Sequence, residues 1–65
     1  MKKDFRITHH GSICLVHSLT KRAQRWIAEH VSDEAQFMGM ALVVEPRYLA
    51  PLVEGMEAEG LRRKA

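Results

Sequence analysis

Four side chains of the kinds that bind metals or act in catalysis fall within nine residues: His9, His10, Cys14 and His17. Imidazole and thiolate groups are good zinc ligands, so this cluster raises the question of a metal site. The spacing argues against one, because Cys14 and His17 are an odd number of residues apart and side chains alternate between the two faces of a strand. His9 and His10 are neighbours in a turn. The sequence therefore predicts turn and edge-strand histidines, with no metal and no cofactor.

The same residues could serve as nucleophiles or bases. Cys14 lies in an apolar run, where a thiol is expected to be buried and unreactive. Ser12 and His10 could pair as nucleophile and base, but no orienting carboxylate or oxyanion hole accompanies them. The chain also has no phosphate-binding loop or dinucleotide fingerprint. We therefore predict that the protein is not an enzyme.

Two short strands carry these residues. Phe5 to Thr8 and Ile13 to His17 are predicted to form a hairpin across residues 9 to 12. Gly11 supplies the positive φ that such reversals often require. The run from Ile13 to Val16 is apolar throughout, which favours the more central position for the second strand.

A helix of about Lys21 to Val31 follows, with Thr20 as its N-cap. Its basic and acidic positions face water, and its core positions are Ala23, Trp26, Ile27 and Val31. Trp26 is more simply explained as the main core anchor of this helix than as an exposed binding residue.

The stretch from Ala41 to Tyr48 predicts a buried strand that runs directly into a helix. The strand should end near Glu45, because Pro46 cannot donate to a sheet ladder and is expected to introduce a turn. Pro51 is compatible with a helix only among its first four positions, so the helix is predicted to start near residues 47 to 50.

Gly60 is placed as the left-handed residue that ends this helix, with Leu61 returning to pack near Met56. The element order β-β-α-β-α predicts an α+β fold: a small, mainly antiparallel, three-stranded sheet with two helices on one face. Residues 1 to 65 form a single domain, and residues 62 to 65 are expected to be a flexible basic tail. A domain this short buries only about 60% of its unfolded surface, which makes a homodimer or a partner plausible.

Three segments resemble a set of short, mostly uncharacterised proteins carried by bacteriophages, prophages and plasmids. The resemblance rests on residues 5 to 13, residues 23 to 31 and the block from residue 41 to 48, which ends in the Val-Val-Glu-Pro-Arg-Tyr junction. The matching positions are His10, Gly11, Ser12, Ile13, Trp26, Gly39, Glu45, Pro46, Arg47 and Tyr48. This chain departs from the pattern at Ser18, Met38 and Met40, where proline, an aromatic residue and glycine are expected. The resemblance implies a mobile-element origin and a shared fold, and it implies no catalytic residue.

The composition predicts a cytoplasmic protein. One cysteine excludes an intramolecular disulfide framework, which fits a reducing compartment. No apolar run approaches the roughly 20 residues that a membrane span requires. The first residues also lack the apolar core of a signal peptide.

Charge is segregated along the chain behind a net value of +2. Residues 1 to 30 carry +4, residues 31 to 61 carry −5, and the tail adds +3. The basic positions on the first helix and in the tail could form a phosphate-binding patch; they are Lys21, Arg22, Arg25, Arg62, Arg63 and Lys64. A solvated helix face with a frayed tail is the simpler interpretation.

Two further groups could bind a partner. Phe37, Met38 and Met40 lie in an uncharged stretch just before the last strand, and methionine adapts to irregular contact surfaces. Filling of the core at the end of the sheet is the simpler explanation. Arg47 and Tyr48 either stabilise the junction, through an Arg47 to Glu45 contact and a partly buried phenol, or form a recognition patch.

These features favour a non-catalytic binding protein of a phage or other mobile element that docks on a host protein complex. Inhibition of a bacterial defence system, in the manner of an anti-CRISPR protein, is the most concrete form of this hypothesis. The alternatives are a small DNA- or RNA-binding accessory protein, which would use the basic positions, and a structural homo-oligomer joined through residues 37 to 44.

Overall fold

The computed structural model describes residues 2 to 64. The elements in chain order are β1 (Phe5–His10), β2 (Ile13–Ser18), α1 (Lys21–His30), β3 (Phe37–Met38), β4 (Ala41–Val44) and α2 (Pro46–Ala58). The predicted α+β class is confirmed.

The sheet has four antiparallel strands in the order β1-β2-β4-β3. The prediction of three strands is wrong by one, because Phe37 and Met38 pair with Leu42 and Ala41 across a tight turn at Gly39. A two-residue strand is too short to produce an alternating pattern in the sequence. β2 lies centrally between β1 and β4, as its apolar sequence predicted.

The β1–β2 hairpin is longer and tighter than predicted. Its ladder extends from the pair Phe5 and Ser18 to the pair His10 and Ile13, which leaves a two-residue turn. Gly11 has a φ of 64°, as expected of the first central residue of a type II′ turn.

One face of the sheet holds the hydrophobic core. Both helices pack on this face, and the buried cluster consists of Phe5, Val16, Ala23, Ile27, Leu42, Val44, Met56 and Leu61. The strand residues of the cluster occupy alternate positions, so the residues between them point to the other side of the sheet. Trp26 is only partly buried at the edge of the cluster, whereas Phe5 and Met56 are completely inaccessible to solvent. Trp26 therefore supports the core without being its centre.

The N-terminus of α1 was predicted correctly. The Thr20 hydroxyl accepts a hydrogen bond from the backbone N–H of Ala23 at 3.2 Å, which satisfies one of the donors at the helix start.

α2 begins earlier than predicted, at Pro46, with Glu45 as its N-cap. Pro51 therefore lies inside the helix rather than among its first four positions. It has no N–H to bond the carbonyl of Arg47, and this missing bond falls within the exposed first half of the helix. Packing of the later apolar positions against the core evidently outweighs this local cost.

The end of α2 follows the prediction for Gly60, which has a φ of 84°. The N–H of Gly60 bonds the carbonyl of Glu57 at 2.9 Å, and the N–H of Leu61 bonds the carbonyl of Met56 at 3.0 Å. This pair of bonds is the Schellman motif. Met56 and Leu61 are both buried in the core cluster.

Residues 62 to 64, for which a flexible tail was predicted, lie along β1. The N–H groups of Asp4 and Phe5 bond the carbonyl of Arg62 at 2.7 and 3.2 Å, and the N–H of Lys64 bonds the carbonyl of Phe5 at 2.8 Å. Phe5 and Arg63 form a parallel bridge. The basic sequence of the segment does not predict this pairing, because the bonds are formed by backbone groups and do not depend on the side chains. Residue 65 lies outside the described residues.

Candidate functional site

The candidate metal ligands divide into two pairs on opposite faces of the sheet. Cys14 Sγ lies 3.3 Å from His9 Nδ1, and these two residues are cross-strand partners. The second pair meets on the face without helices, where the Thr8 hydroxyl is 2.8 Å from His10 Nε2 and 2.9 Å from His17 Nε2. Within residues 2 to 64, no three metal-binding side chains come together.

His17 is shielded by its surroundings on this face. Partial burial lowers the pKa of His17 below its ordinary 6.5, and the nearby Arg6 and His10 lower it further. The Thr8 hydroxyl can donate to one neutral imidazole and accept from the other. Burial therefore favours the uncharged ring of His17, whose Nε2 lies within hydrogen-bond distance of the Thr8 hydroxyl.

The residues considered for nucleophilic catalysis do not form a constellation. Cys14 is buried, and its sulfur contacts His9. His10 bonds the Thr8 hydroxyl rather than Ser12. The geometry offers Ser12 no base among the hydrogen bonds of residues 2 to 64.

The turn between β3 and β4 exposes apolar side chains, and we call residues 37 to 40 the hairpin tip. Phe37, Met38 and Met40 are 52%, 58% and 71% exposed. Filling of the core is therefore the wrong explanation for this segment. β3 is the edge strand of the sheet. Phe37 is paired with Leu42 on the helix side and Met38 with Ala41 on the open side, and both lie at the margin of the core.

A small apolar crevice separates the hairpin tip from α1. Its volume is about 220 Å³, and its walls are Ser18, Gln24, Ile27, Ala28, Phe37, Gly39 and Met40. Such a crevice next to exposed apolar side chains can receive an apolar side chain from another molecule.

Arg47 and Tyr48 lie away from the hairpin tip. Phe37 and Met40 line the crevice beside α1, whereas Tyr48 lines a different groove. Arg47 Nε is 3.3 Å from a Glu45 carboxylate oxygen, and its guanidinium lies 4.8 Å from the centre of the Tyr48 ring. The ring is 54% exposed. The predicted partner-binding residues therefore form two separate groups.

The second of these groups borders a broad open groove of about 890 Å³, between the loop of residues 31 to 36 and the start of α2. His30 lies at its edge, with its ring stacked on Trp26 at 4.1 Å and its Nδ1 2.8 Å from the Trp26 carbonyl oxygen. Trp26 Nε1 is buried and has no hydrogen-bond partner among residues 2 to 64. Gly55 allows α2 to approach this indole closely, since a Cβ there would lie 3.2 Å from the ring.

The sheet face without helices is also partly apolar. Ile13, Leu15 and Val43 lie on it, because they alternate with residues of the core cluster. Leu15 is buried yet does not belong to that cluster, so its neighbours on the open face screen it. Strands that are apolar on both faces are typical of sheets covered on both sides.

The basic positions predicted for phosphate binding come together only in part. Lys21, Arg22 and Arg62 line one depression, which also includes Lys2. Arg25 lines a neighbouring depression with Arg22, Glu29 and Glu59. Arg63 lines a third with Lys3, Glu57 and Arg62, while Lys64 pairs with β1 through its backbone.

Sequence reasoning missed Asp4, which joins three parts of the chain. One carboxylate oxygen accepts the Thr20 hydroxyl at 2.8 Å and the other accepts the backbone N–H of Arg62 at 2.9 Å. The bond from Arg62 and the bond from Thr20 lower the pKa of Asp4 below its ordinary 3.8, against the opposing effect of burial. We call Asp4, Thr20 and Arg62 the terminal clasp. The only signal in the sequence was an acidic residue beside a predicted strand, which is too common to identify it.

No protein-family model, curated protein or solved structure matches the chain. Among residues 2 to 64, no helix is both long enough and apolar enough to cross a bilayer.

Proposed function

We propose that this protein is a non-catalytic docking module that binds another protein through its hairpin tip. The observation that supports the proposal most strongly is the exposure of Phe37, Met38 and Met40, two of which, Phe37 and Met40, line an apolar crevice. Exposed apolar clusters next to a pocket are typical of protein interaction sites. Methionine side chains adapt their shape to a partner at little cost.

One residue of the hairpin tip, Met38, lies on the open face of the sheet. Met38 pairs with Ala41, which pairs in turn with His17 of β2, and these residues share one face. Ile13, Leu15 and Val43 extend the apolar surface from there. The apolar pattern of β2 and β4 is typical of a sheet that is covered on both faces. The helices cover one face, and a partner that contacts the hairpin tip could cover the other.

The open face alone is small for a stable interface, so a partner would also have to contact the hairpin tip. Three strands at a spacing of about 4.8 Å and a length of about 20 Å give a projected area of roughly 300 Å². A stable interface usually buries about 800 Å² on each partner. A larger protein that also contacts the hairpin tip could reach that area.

The partner in this proposal is a protein complex of the bacterial host cell. The resemblance to phage- and plasmid-borne proteins supports this choice, and inhibition of a defence system in the manner of an anti-CRISPR protein is its most specific form. Such a protein would act in the host cytoplasm. A module of this kind needs a surface and no catalytic residues.

Capture of partners by the tagged protein from bacterial lysate tests the proposal. Half of the lysate is treated with nuclease, and the bound proteins are quantified against the bait. We expect a stoichiometric host protein that survives nuclease treatment. Recovery of only nucleic acid and its nuclease-sensitive passengers would contradict the proposal, and a mass that rises with concentration without any other partner would favour a homo-oligomer.

A matched pair of variants locates the contact. Phe37→Ser and Tyr48→Ser each remove an aromatic side chain of similar exposure, 52% and 54%, from opposite ends of β4. We expect Phe37→Ser to weaken capture at least about tenfold, as for a central interface residue. Tyr48→Ser should leave capture nearly unchanged. The reverse result would move the site to the Arg47 and Tyr48 group.

A further inference from the structure

The two ends of the described chain and the start of α1 surround one depression, separate from the hairpin tip. It has a volume of about 600 Å³. Four of its lining side chains are cationic, and we call Lys2, Lys21, Arg22 and Arg62 the basic cleft. Residues from three separate segments of the chain contribute to it, so only the fold brings them together.

The acid in this depression does not neutralise the four cations. Asp4 is the one carboxylate that lines it, and both of its oxygens are engaged by Thr20 and by the backbone of Arg62. Within residues 2 to 64, the one ion pair closer than 4.0 Å is formed elsewhere, by Arg47 and Glu45. The basic cleft therefore keeps an excess of three positive charges.

The placement of these charges is unfavourable for α1 itself. Lys21 and Arg22 are the first two residues of the helix, and its first turn has no acidic residue. The N-terminus of a helix carries partial positive charge, so cations there repel it and acids are preferred. Local violations of such preferences are expected at functional sites, where a ligand compensates for them.

The guanidinium of Arg22 is held in position by the other helix. Its Nη2 donates to the carbonyl of Glu59 at 3.2 Å, at the C-terminus of α2. α2 has no basic residue in its own last turn, so Arg22 supplies the cation that this helix end favours. One of the five N–H donors of Arg22 is used there, which leaves the others for a ligand.

We propose that the basic cleft binds a phosphate group, either of a small phosphate compound or of a nucleic-acid backbone. Arginine and lysine from separate segments can together contact several phosphate oxygens. The dense charge of phosphate suits a cluster with an excess of three cations better than a single carboxylate does. This binding is independent of docking through the hairpin tip.

Two titrations distinguish the sources of phosphate. Inorganic phosphate is added to the wild-type protein while backbone amide shifts are recorded by NMR. A short single-stranded DNA and its duplex are then titrated by fluorescence anisotropy at about 50 and about 200 mM salt. We expect saturable shifts at residues 2 to 4, 20 to 22 and 60 to 62. Tighter, salt-dependent binding of DNA would identify the backbone as the ligand, and saturation by phosphate alone would identify a small compound.

Two double variants with the same change in net charge test the location. Lys21→Glu with Arg62→Glu reverses charges in the basic cleft, whereas Arg25→Glu with Arg63→Glu reverses charges on the same two segments outside it. We expect the first to weaken binding at least about tenfold and the second less than about threefold. Lys21→Glu also places an acid in the first turn of α1, where it stabilises the helix N-terminus. This substitution is therefore not expected to unfold the protein.

Equal losses in the two double variants would overturn the proposal, because they would show attraction by net charge alone. The absence of saturable binding of both phosphate and DNA to the folded wild-type protein would overturn it as well.

Discussion

The hairpin tip and the terminal clasp use their side chains in opposite ways. At the terminal clasp both oxygens of Asp4 are bonded within the chain, and the backbone of residues 62 to 64 is paired with β1. At the hairpin tip, three large apolar side chains face solvent. The hydrogen bonds of the terminal clasp therefore stabilise the fold, whereas the exposed side chains of the hairpin tip form the proposed contact with a partner.

Substitutions in the two regions are therefore expected to change different quantities, stability in one region and binding in the other. A change at the terminal clasp should lower the free energy of unfolding, and a change at the hairpin tip should lower affinity for a partner while the fold persists. Small domains have little stability in reserve, so the difference should be measurable.

Asp4→Ala is expected to have the largest effect on stability. It removes a buried carboxylate that accepts two hydrogen bonds and leaves the Thr20 hydroxyl and the Arg62 N–H without their acceptor. We expect the free energy of unfolding to fall by about 2 to 3 kcal/mol in a urea titration. Asp33→Ala, which removes an exposed acid, is the control and should change it by less than about 0.5 kcal/mol. Equal effects of the two substitutions would show that the hydrogen bonds of Asp4 do not stabilise the fold.

Alanine at Gly60 and at Gly39 compares the two regions at the level of the backbone. The φ angles are 84° and 62°, so each substitution should cost about 1 kcal/mol of unfolding free energy. A Cβ at Gly60 would also lie 3.2 Å from Arg22 Nη2, whereas one at Gly39 would meet open space. We expect Gly60→Ala to be the more destabilising by a few tenths of a kcal/mol. Thermal unfolding of both variants measures the difference, and a larger loss at Gly39 would contradict the account.

Acid should weaken the fold in two steps. The pKa of His17 is depressed, so the unfolded chain takes up its proton first and stability falls as the pH drops below 6.5 through the folded value. The pKa of Asp4 is also depressed, so its contribution is present above 3.8 and is lost at lower pH. His17→Gln should remove the first step and Asp4→Asn the second in unfolding experiments across pH. A fold that gains stability between pH 7 and 5 would contradict the assignment for His17.

Serine at all three exposed positions of the hairpin tip should have the smallest effect on stability. Phe37, Met38 and Met40 add little to the core, so we expect a change of less than about 0.5 kcal/mol in a urea titration. A loss of more than about 1 kcal/mol of unfolding free energy would show that the segment stabilises the fold. The exposure of its side chains would then no longer indicate a binding site.

The sequence predicted those parts of the fold that depend on local chemistry. Thr20 and Gly60 were identified because caps have strong residue preferences within one or two turns. Pro51 was misjudged, since tertiary packing can hold a helix through an interior proline. β3 was missed because two residues carry no periodic pattern.

The candidate sites depended on contacts that no local pattern encodes. Lys2 and Arg62 are 60 residues apart in sequence and line the same depression only after the chain ends meet. The terminal clasp could not be predicted for the same reason, since its three residues are far apart in sequence. The unusual apolar character of residues 37 to 40 was detectable, but only the structure distinguished an exposed hairpin tip from core filling.

The most direct test of the docking function is the affinity of a captured host protein for the wild-type protein and for the variant with serine at Phe37, Met38 and Met40. Both proteins are first shown to be equally stable. We expect the variant to bind at least about tenfold more weakly, with an affinity for the wild type that changes little with salt. Equal affinities would contradict the central role of the hairpin tip.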